Sequence, residues 1–232
     1  MSGEERQLTF DLLHAPAFDR ADFLLSASNE IAFHSMSDWT RWPEGRLALV
    51  GSEGSGKSHL AAIWQAATGA ALSVAAGLTE SRLRLLMQER AIIVEDVHEI
   101  ADLPGPARRQ AEEVLFHLWN HAGNAEVHLL LTGREAPSRW RVDTPDLASR
   151  LASVAVVDIQ PPDDALLSSV LVKLFADRQL LVAPDVIEFL ARRIERSFAA
   201  AEAAVAELDR KALVERRKIT RPFAARLFQD GG

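Results

Sequence analysis

The 232-residue chain contains no cysteine, which excludes disulfides and cysteine-ligated zinc and fits a reducing compartment. It also lacks a signal-type apolar run in its opening stretch, and no segment approaches the length of uninterrupted apolar sequence that a membrane span needs. A soluble, cytoplasmic protein with no membrane partner is therefore expected. Basic residues are in the minority: 26 Lys and Arg against 33 Asp and Glu give a net charge of −7. That balance excludes a surface that is one continuous nucleic-acid footprint and leaves only a local basic groove. Internal repeats and low-complexity tracts are absent as well. What remains is ordinary globular material, 48% hydrophobic and 25% charged, enough for one large domain or one domain with a smaller companion.

Short apolar runs alternate with helical spacing through the first two thirds of the chain. "RLALV" (46–50), "ALSVAA" (71–76), "AIIVED" (91–96), "VHLLLT" (127–132) and "VAVVDI" (154–159) read as strands, mostly buried on both faces. Between them "HLAAIWQAA", "ESRLRLLMQE" and "ARRQAEEVLFHLWNHAG" read as helices, the last with Gly123 near its stop. Strands alternating with helices imply a parallel sheet covered on both faces. After "QPPDD" (160–164) the strand signals cease. Helices are expected at about 164–178, over "PDVIEFLARRI", at about 197–216, and finally after Thr220 as cap with Pro222 in the first turn. In the third of these, Phe198, Ala201, Val205, Leu208 and Ala212 form one apolar stripe. The expected division is an extended segment over 1–20, an α/β domain over 21–160 and a small helical domain over 161–232.

The stretch "GSEGSGKS" places Gly51, Gly56, Lys57 and Ser58 at the spacing G-x-x-x-x-G-K-[ST], after a strand and before a helix. Glycines let backbone N–H groups close around phosphate oxygens, and the following helix adds its positive dipole end. The expected nucleotide-binding set is Gly51, Gly54, Ser55, Gly56, Lys57, Ser58 and His59, with Lys57 on the terminal phosphates and the Ser58 hydroxyl on Mg²⁺. "IIVED" is the natural partner strand: Glu95 would support Mg²⁺ and Asp96 would orient the attacking water. Other features weigh less. His117 and His121 have the i, i+4 spacing of a zinc pair, but Leu118 stands where that motif needs Glu. Phe116 and Trp119 suit a core better than a stacking platform, and "RRIER" (192–196) suits a solvated helix face.

With phosphate loop, acidic strand and helical tail together, the chain resembles the AAA+ ATPases. More narrowly it resembles the DnaA-related family, and within that the short regulators of Hda type. "SASNEIA" (26–32) is similar to the segment that opens the family's nucleotide-binding domain. "LLLTGREAP" (129–137) is similar to the sensor-1 strand, which puts Thr132 on the γ-phosphate side. "PDLASRL" (145–151) is similar to the arginine-finger segment, which puts Arg150 at the finger, and "KITRPFAARLF" (218–228) to the last helix of the lid. The resemblance implies ADP or ATP with Mg²⁺ as cofactors and the initiator DnaA as partner. The sequence stops where DnaA proteins continue into a helix-turn-helix domain, so origin recognition by that route is not expected. Contact with DNA would be mainly indirect, and assembly with copies of itself stays open.

The hexapeptide "QLTFDL" (7–12) alternates apolar and polar residues like a strand, close to Met1 and ahead of Pro16. Within the resemblance it matches the motif by which Hda-type proteins bind the DNA polymerase sliding clamp. Gln7, Leu8, Phe10 and Leu12 would then enter a groove with pockets for alternate side chains. Three positions depart from the family pattern. Ala199 stands where a sensor-2 arginine is expected, with Arg196 one turn upstream as a stand-in; Glu95 replaces the usual Asp; Gly133 follows Thr132 where a polar residue is expected. Nucleotide binding survives these changes, with hydrolysis weak or partner-dependent and ADP as well suited as ATP. The implied function is a clamp-tethered regulator that stimulates ATP hydrolysis by DnaA and prevents over-initiation. The alternatives are a self-sufficient AAA+ ATPase such as a helicase loader, and a passive clamp-bound recruitment module.

Overall fold

A computed structural model describes residues 23–124 and 127–228. The clamp-binding expectation at Gln7, Leu8, Phe10 and Leu12 lies outside the described residues. Five strands, β1 (Arg46–Val50), β2 (Ala71–Val74), β3 (Ala91–Glu95), β4 (His128–Gly133) and β5 (Val156–Asp158), form one sheet of order β2-β3-β4-β1-β5. Every pairing is parallel. Strand β1 lies between β4 and β5, and all five of its residues are buried, which is why "RLALV" carries no polar alternation. The edge strands β2 and β5 are shorter and partly exposed.

Helices α1 (Glu30–Ser37), α2 (Lys57–Thr68), α3 (Glu80–Leu86), α4 (Gly105–Asn124) and α5 (Pro145–Ala152) cover the sheet. On one face Ala48, Val50, Ile92, Val94, Leu129 and Leu131 pack against Leu115, Leu118 and Trp119 of α4 and Leu147 and Leu151 of α5. On the other, Leu47, Leu49, Ile93 and Leu130 meet Ala32 and Met36 of α1 and Leu60, Ala61 and Trp64 of α2. Helix α1, which the strand-and-helix pattern did not single out, is fixed by Asn29. That buried side chain accepts the Ser26 N–H and donates to the Leu24 carbonyl, both at 2.9 Å.

Gly123 lies one residue before the end of α4 at Asn124, near the stop as expected. It is also a packing position, because a Cβ there would run into the guanidinium of Arg46. Arg46 is buried; its Nη2 donates to the Trp119 carbonyl at 2.9 Å and its guanidinium lies 4.4 Å from the Trp119 ring centre. Arg46 also pairs with Glu44. Trp119 is therefore core, as its spacing suggested.

The last four helices, α6 (Asp164–Asp177), α7 (Pro184–Arg193), α8 (Phe198–Glu215) and α9 (Arg221–Phe228), have their own core of Leu167, Leu171, Phe175, Val186, Leu190, Val205, Leu208 and Phe223. Side-chain caps start α6 and α8: Asp163 accepts the Leu166 N–H and Ser197 the Ala200 N–H. Ala201, Val205, Leu208 and Ala212 join this core as a stripe. Phe198, expected in the same stripe, turns instead toward the phosphate loop.

Glu112 on α4 is 1% exposed and fixes the start of α5. Its carboxylate accepts the Asp143 and Thr144 N–H groups, both at 2.9 Å, the Thr144 hydroxyl at 2.7 Å and Arg108 Nε at 3.2 Å. Burial alone raises its pKa, but these donors outweigh burial and hold it below the ordinary 4.5. Glu112→Ala removes the acceptor of two partly buried amides and of the Thr144 hydroxyl and is expected to cost about 1.5–3 kcal/mol in urea denaturation at neutral pH. A carboxyl depressed by folding stabilises fully above its unfolded-state pKa. That contribution is lost as the pH falls from about 4.5 through the lower folded-state value, and a Glu112→Gln chain should lack this part of the acid sensitivity.

Candidate nucleotide site

The parallel sheet brings the C-terminal ends of β1, β3 and β4 together. The loop that leaves β1 begins at Gly51, whose N–H donates to the Gly133 carbonyl at 3.2 Å. It ends at Gly56, the N-cap of α2, with φ +101°; Gly54 has φ +68°. Both values are left-handed conformations that favour glycine. The loop is also crowded. A Cβ at Gly54 would come 2.7 Å from the Ser197 Cβ, and one at Gly56 would come 3.0 Å from the Phe198 ring. The Phe198 N–H donates to the Gly54 carbonyl at 2.9 Å, so the start of α8 sits directly on the loop. Sequence patterning missed this contact, since Phe198 has the spacing of a core residue.

Lys57 opens α2 and is buried; its Nζ donates to the carbonyls of Gly51 at 2.9 Å and Ser52 at 2.8 Å. Burial pushes this ammonium below its ordinary value; Asp96, Glu53 and Glu95 oppose the shift and Arg134 adds to it. Ser58, on the first turn of α2, is exposed, and the His59 ring stands edge-on to Phe23 with centres 5.2 Å apart. Ser55 is 2% exposed and its Oγ has no hydrogen-bond partner among the described residues.

Glu95 closes β3, and its buried Oε1 likewise has no hydrogen-bond partner among the described residues. Asp96 follows in a left-handed conformation, φ +56°, rare for a residue other than glycine. Thr132 holds it there: the Thr132 hydroxyl, 1% exposed, accepts the Asp96 N–H at 3.1 Å. Thr132, expected on the γ-phosphate side, thus acts on the acidic turn in this structure. Beyond it, Asp96, His98 and Glu99 bring ligand atoms within 4.8 Å of one another. Two orphaned buried polar atoms, a glycine cradle, a helix N-terminus and a carboxylate cluster form a donor set that fits a polyphosphate with a divalent cation. Glu95, despite its extra methylene, is brought to this edge.

Arg150 lies elsewhere. It sits in the last turn of α5, just ahead of β5, at the N-terminal edge of the sheet. Its Nη1 donates to Asn120 Oδ1 at 2.6 Å and its guanidinium lies 4.9 Å from the Phe116 ring centre, both on α4. Among the described residues no ion pair joins it to Asp146.

A family model described as "Hda, lid domain" matches residues 164–227. The "Chromosomal replication initiator protein DnaA" of Cutibacterium acnes is 27% identical over 139 residues, which are 60% of this chain and 27% of that protein. The chain is thus similar to the DnaA-related AAA+ proteins. Its fold is that of domain III of the Thermotoga maritima replication initiation protein DnaA, with TM-score 0.74 at 16% identity over 93% of this chain and 97% of that one. Two nucleotide-bound neighbours share the fold. DnaA from Aquifex aeolicus bound to AMPPCP has TM-score 0.65 at 18% identity, over 84% of this chain and 68% of that one. DnaA bound to AMPPCP and single-stranded DNA has TM-score 0.68 at 17% identity, over 87% and 70%. The chain spans about a quarter of the length of the curated relative it matches. Helices α6 to α9 are accordingly the lid, and the loop contact described above is a contact between lid and AAA+ core.

At this site Gly133 has a physical reason for standing where a polar residue is expected: a Cβ there would come 2.6 Å from the Trp140 indole. Gly133→Ala is expected to overpack that contact and lower stability by about 1–3 kcal/mol in urea denaturation. A neutral substitution would show that the indole moves aside.

Proposed function

We propose that the protein is a clamp-tethered replication regulator that binds adenine nucleotide with Mg²⁺ and stimulates ATP hydrolysis by the initiator DnaA. The observation that carries this reading is the placement of Arg150. The phosphate loop lies at the C-terminal edge of the parallel sheet and Arg150 away from it, at the N-terminal edge, which supports a guanidinium that acts on a neighbouring molecule's nucleotide rather than on its own. Half-buried, steadied by Asn120 and stacked on Phe116, it is preorganised, and among the described residues no ion pair consumes it. The Hda lid model and the DnaA relative support DnaA as that neighbour.

In this reading a bound nucleotide and its Mg²⁺ supply the phosphates and the Lewis acid. This chain supplies the glycine cradle, Lys57 and Ser58 around the phosphates, Glu95 toward the cation and Asp96, held by Thr132, beside it. Across the interface Arg150 stabilises charge that develops on the phosphoryl group of DnaA-bound ATP. Such arginines are worth about 10³–10⁵ in rate in GTPases.

The test is ATP hydrolysis by DnaA with DNA-loaded clamp, with and without this protein. Arg150→Ala should fold, bind nucleotide and bind clamp yet lose the stimulation, and Arg150→Lys should be nearly as poor, because Lys lacks the planar fork. Lys57→Ala should lose ADP and ATP binding by calorimetry. Leu8 and Phe10 together changed to Ala should lose clamp retention, since burying two such side chains contributes roughly 1.5–3 kcal/mol each. Full stimulation by the Arg150→Ala chain would overturn the proposal.

A further inference from the structure

The lid brings Ala199 to the phosphate loop, where a Cβ at Gly54 would meet it at 3.5 Å, so no cationic side chain enters from that position. Arg196, one turn upstream, does not take its place: its Nη2 lies 2.9 Å from Asp164 Oδ1, at the start of α6. A different arginine reaches the loop, from the end of β4. Arg134 directly follows β4, and its Nη2 lies 2.9 Å from Oε2 of Glu53 in the middle of the loop.

The setting of this pair is unusual. Glu53 is a carboxylate on a loop shaped to receive phosphates, where an uncompensated negative charge would repel the ligand. Arg134 compensates it. The pair is also loosely held, with side chains 50% and 73% exposed, and exposed ion pairs of this kind contribute little to stability. A guanidinium fork suits a carboxylate and a phosphate equally well. Its base is fixed by the sheet: Gly133 is packed under Trp140 and hydrogen-bonded to Gly51, so the Arg134 backbone starts from a rigid point beside the cradle. Its charge is felt at Lys57, the cation already assigned to the phosphates.

We propose that Arg134 is a second phosphate-binding cation of this site, held by Glu53 in the chain alone and passed to the terminal phosphate of a nucleoside triphosphate on binding. The proposal rests on the reading of the phosphate loop as a nucleotide site, and it names a residue that neither the loop motif nor the acidic strand includes. It also supplies, from the end of β4, a positive charge that Ala199 withholds on the lid side.

Calorimetry with ATP and ADP in Mg²⁺ on the full chain tests it, with wild type, Arg134→Gln, Arg134→Lys, Glu53→Gln and Lys57→Ala side by side. Arg134→Gln should weaken ATP by about tenfold or more and ADP by less, with little change in the melting temperature of the nucleotide-free chain. Arg134→Lys should recover part of the loss. Glu53→Gln, which releases the guanidinium and removes a repelling charge, should tighten ATP. If Arg134→Gln binds ATP as wild type does while Lys57→Ala does not, the inference is overturned and the nucleotide site stands. If wild type binds neither nucleotide, the reading of the loop falls and the inference falls with it.

Discussion

Everything at the candidate site depends on the burial of β1 between two parallel neighbours. Flanked by β4 and β5 and covered by helices on both faces, its five residues have nowhere to shift, so the point at which the chain leaves the sheet is fixed. Parallel pairing then does the rest. It aligns the ends of β1, β3 and β4, so that Gly51, Glu95 and Thr132 arrive at one edge without any one of them recognising the others in sequence. The backbone link from Gly51 to Gly133 and the side-chain link from Thr132 to Asp96 tie these ends together across the sheet. The cost is a left-handed aspartate at the end of β3, a strained conformation retained where carboxylates gather.

The lid adds a second constraint, and it acts on the loop rather than on the sheet. Phe198 and Ser197 rest where side chains at Gly56 and Gly54 would be, and the Gly54 carbonyl accepts the first amide of α8. Loop and lid helix therefore share a backbone hydrogen bond, and the loop cannot change shape without α8 responding. A nucleotide that reorganises the loop would be felt in the lid through this contact, which gives a physical route from ligand to lid position. The reverse holds equally, since coupling between two sites is reciprocal.

Much of this was legible from residue pattern. The five strands, the phosphate loop, the acidic strand end and the switch to helices after residue 160 each follow from apolar spacing and the G-x-x-x-x-G-K-[ST] signal. What was illegible depended on tertiary proximity. Gly123 marked the end of α4 correctly, but only the approach of Arg46, far earlier in the chain, shows that it is a packing position as well. Phe198 had the spacing of a core stripe and was drawn to the loop because the two glycines leave room there. Glu112 carries no signal in the sequence, yet three donors from Asp143 and Thr144, with Arg108 from its own helix, make it a buried anchor. Arg134 and Glu53 are both ordinary surface residues in sequence, and only the end-to-end meeting of β4 and the loop makes them a pair.

The anchor at Glu112 also bears on how an arginine at the far edge can be effective. Helix α5 is only two turns long, too short to hold itself in place by its own hydrogen bonds. Its first turn is held by Glu112 through Asp143 and Thr144, and its last turn by the contact of Arg150 with Asn120 and Phe116. Both anchors lie on α4, so α5 moves with the largest helix of the core rather than as an independent segment. In the proposed role, a side chain that meets a phosphoryl group on another molecule gains most when its ordering is complete before the encounter, because the entropy of fixing it is then not lost in the complex. The mooring at both ends of α5 meets that requirement. Among the described residues it does so without placing an acidic partner on Arg150, a partner that would have to be surrendered each time the guanidinium turned outward.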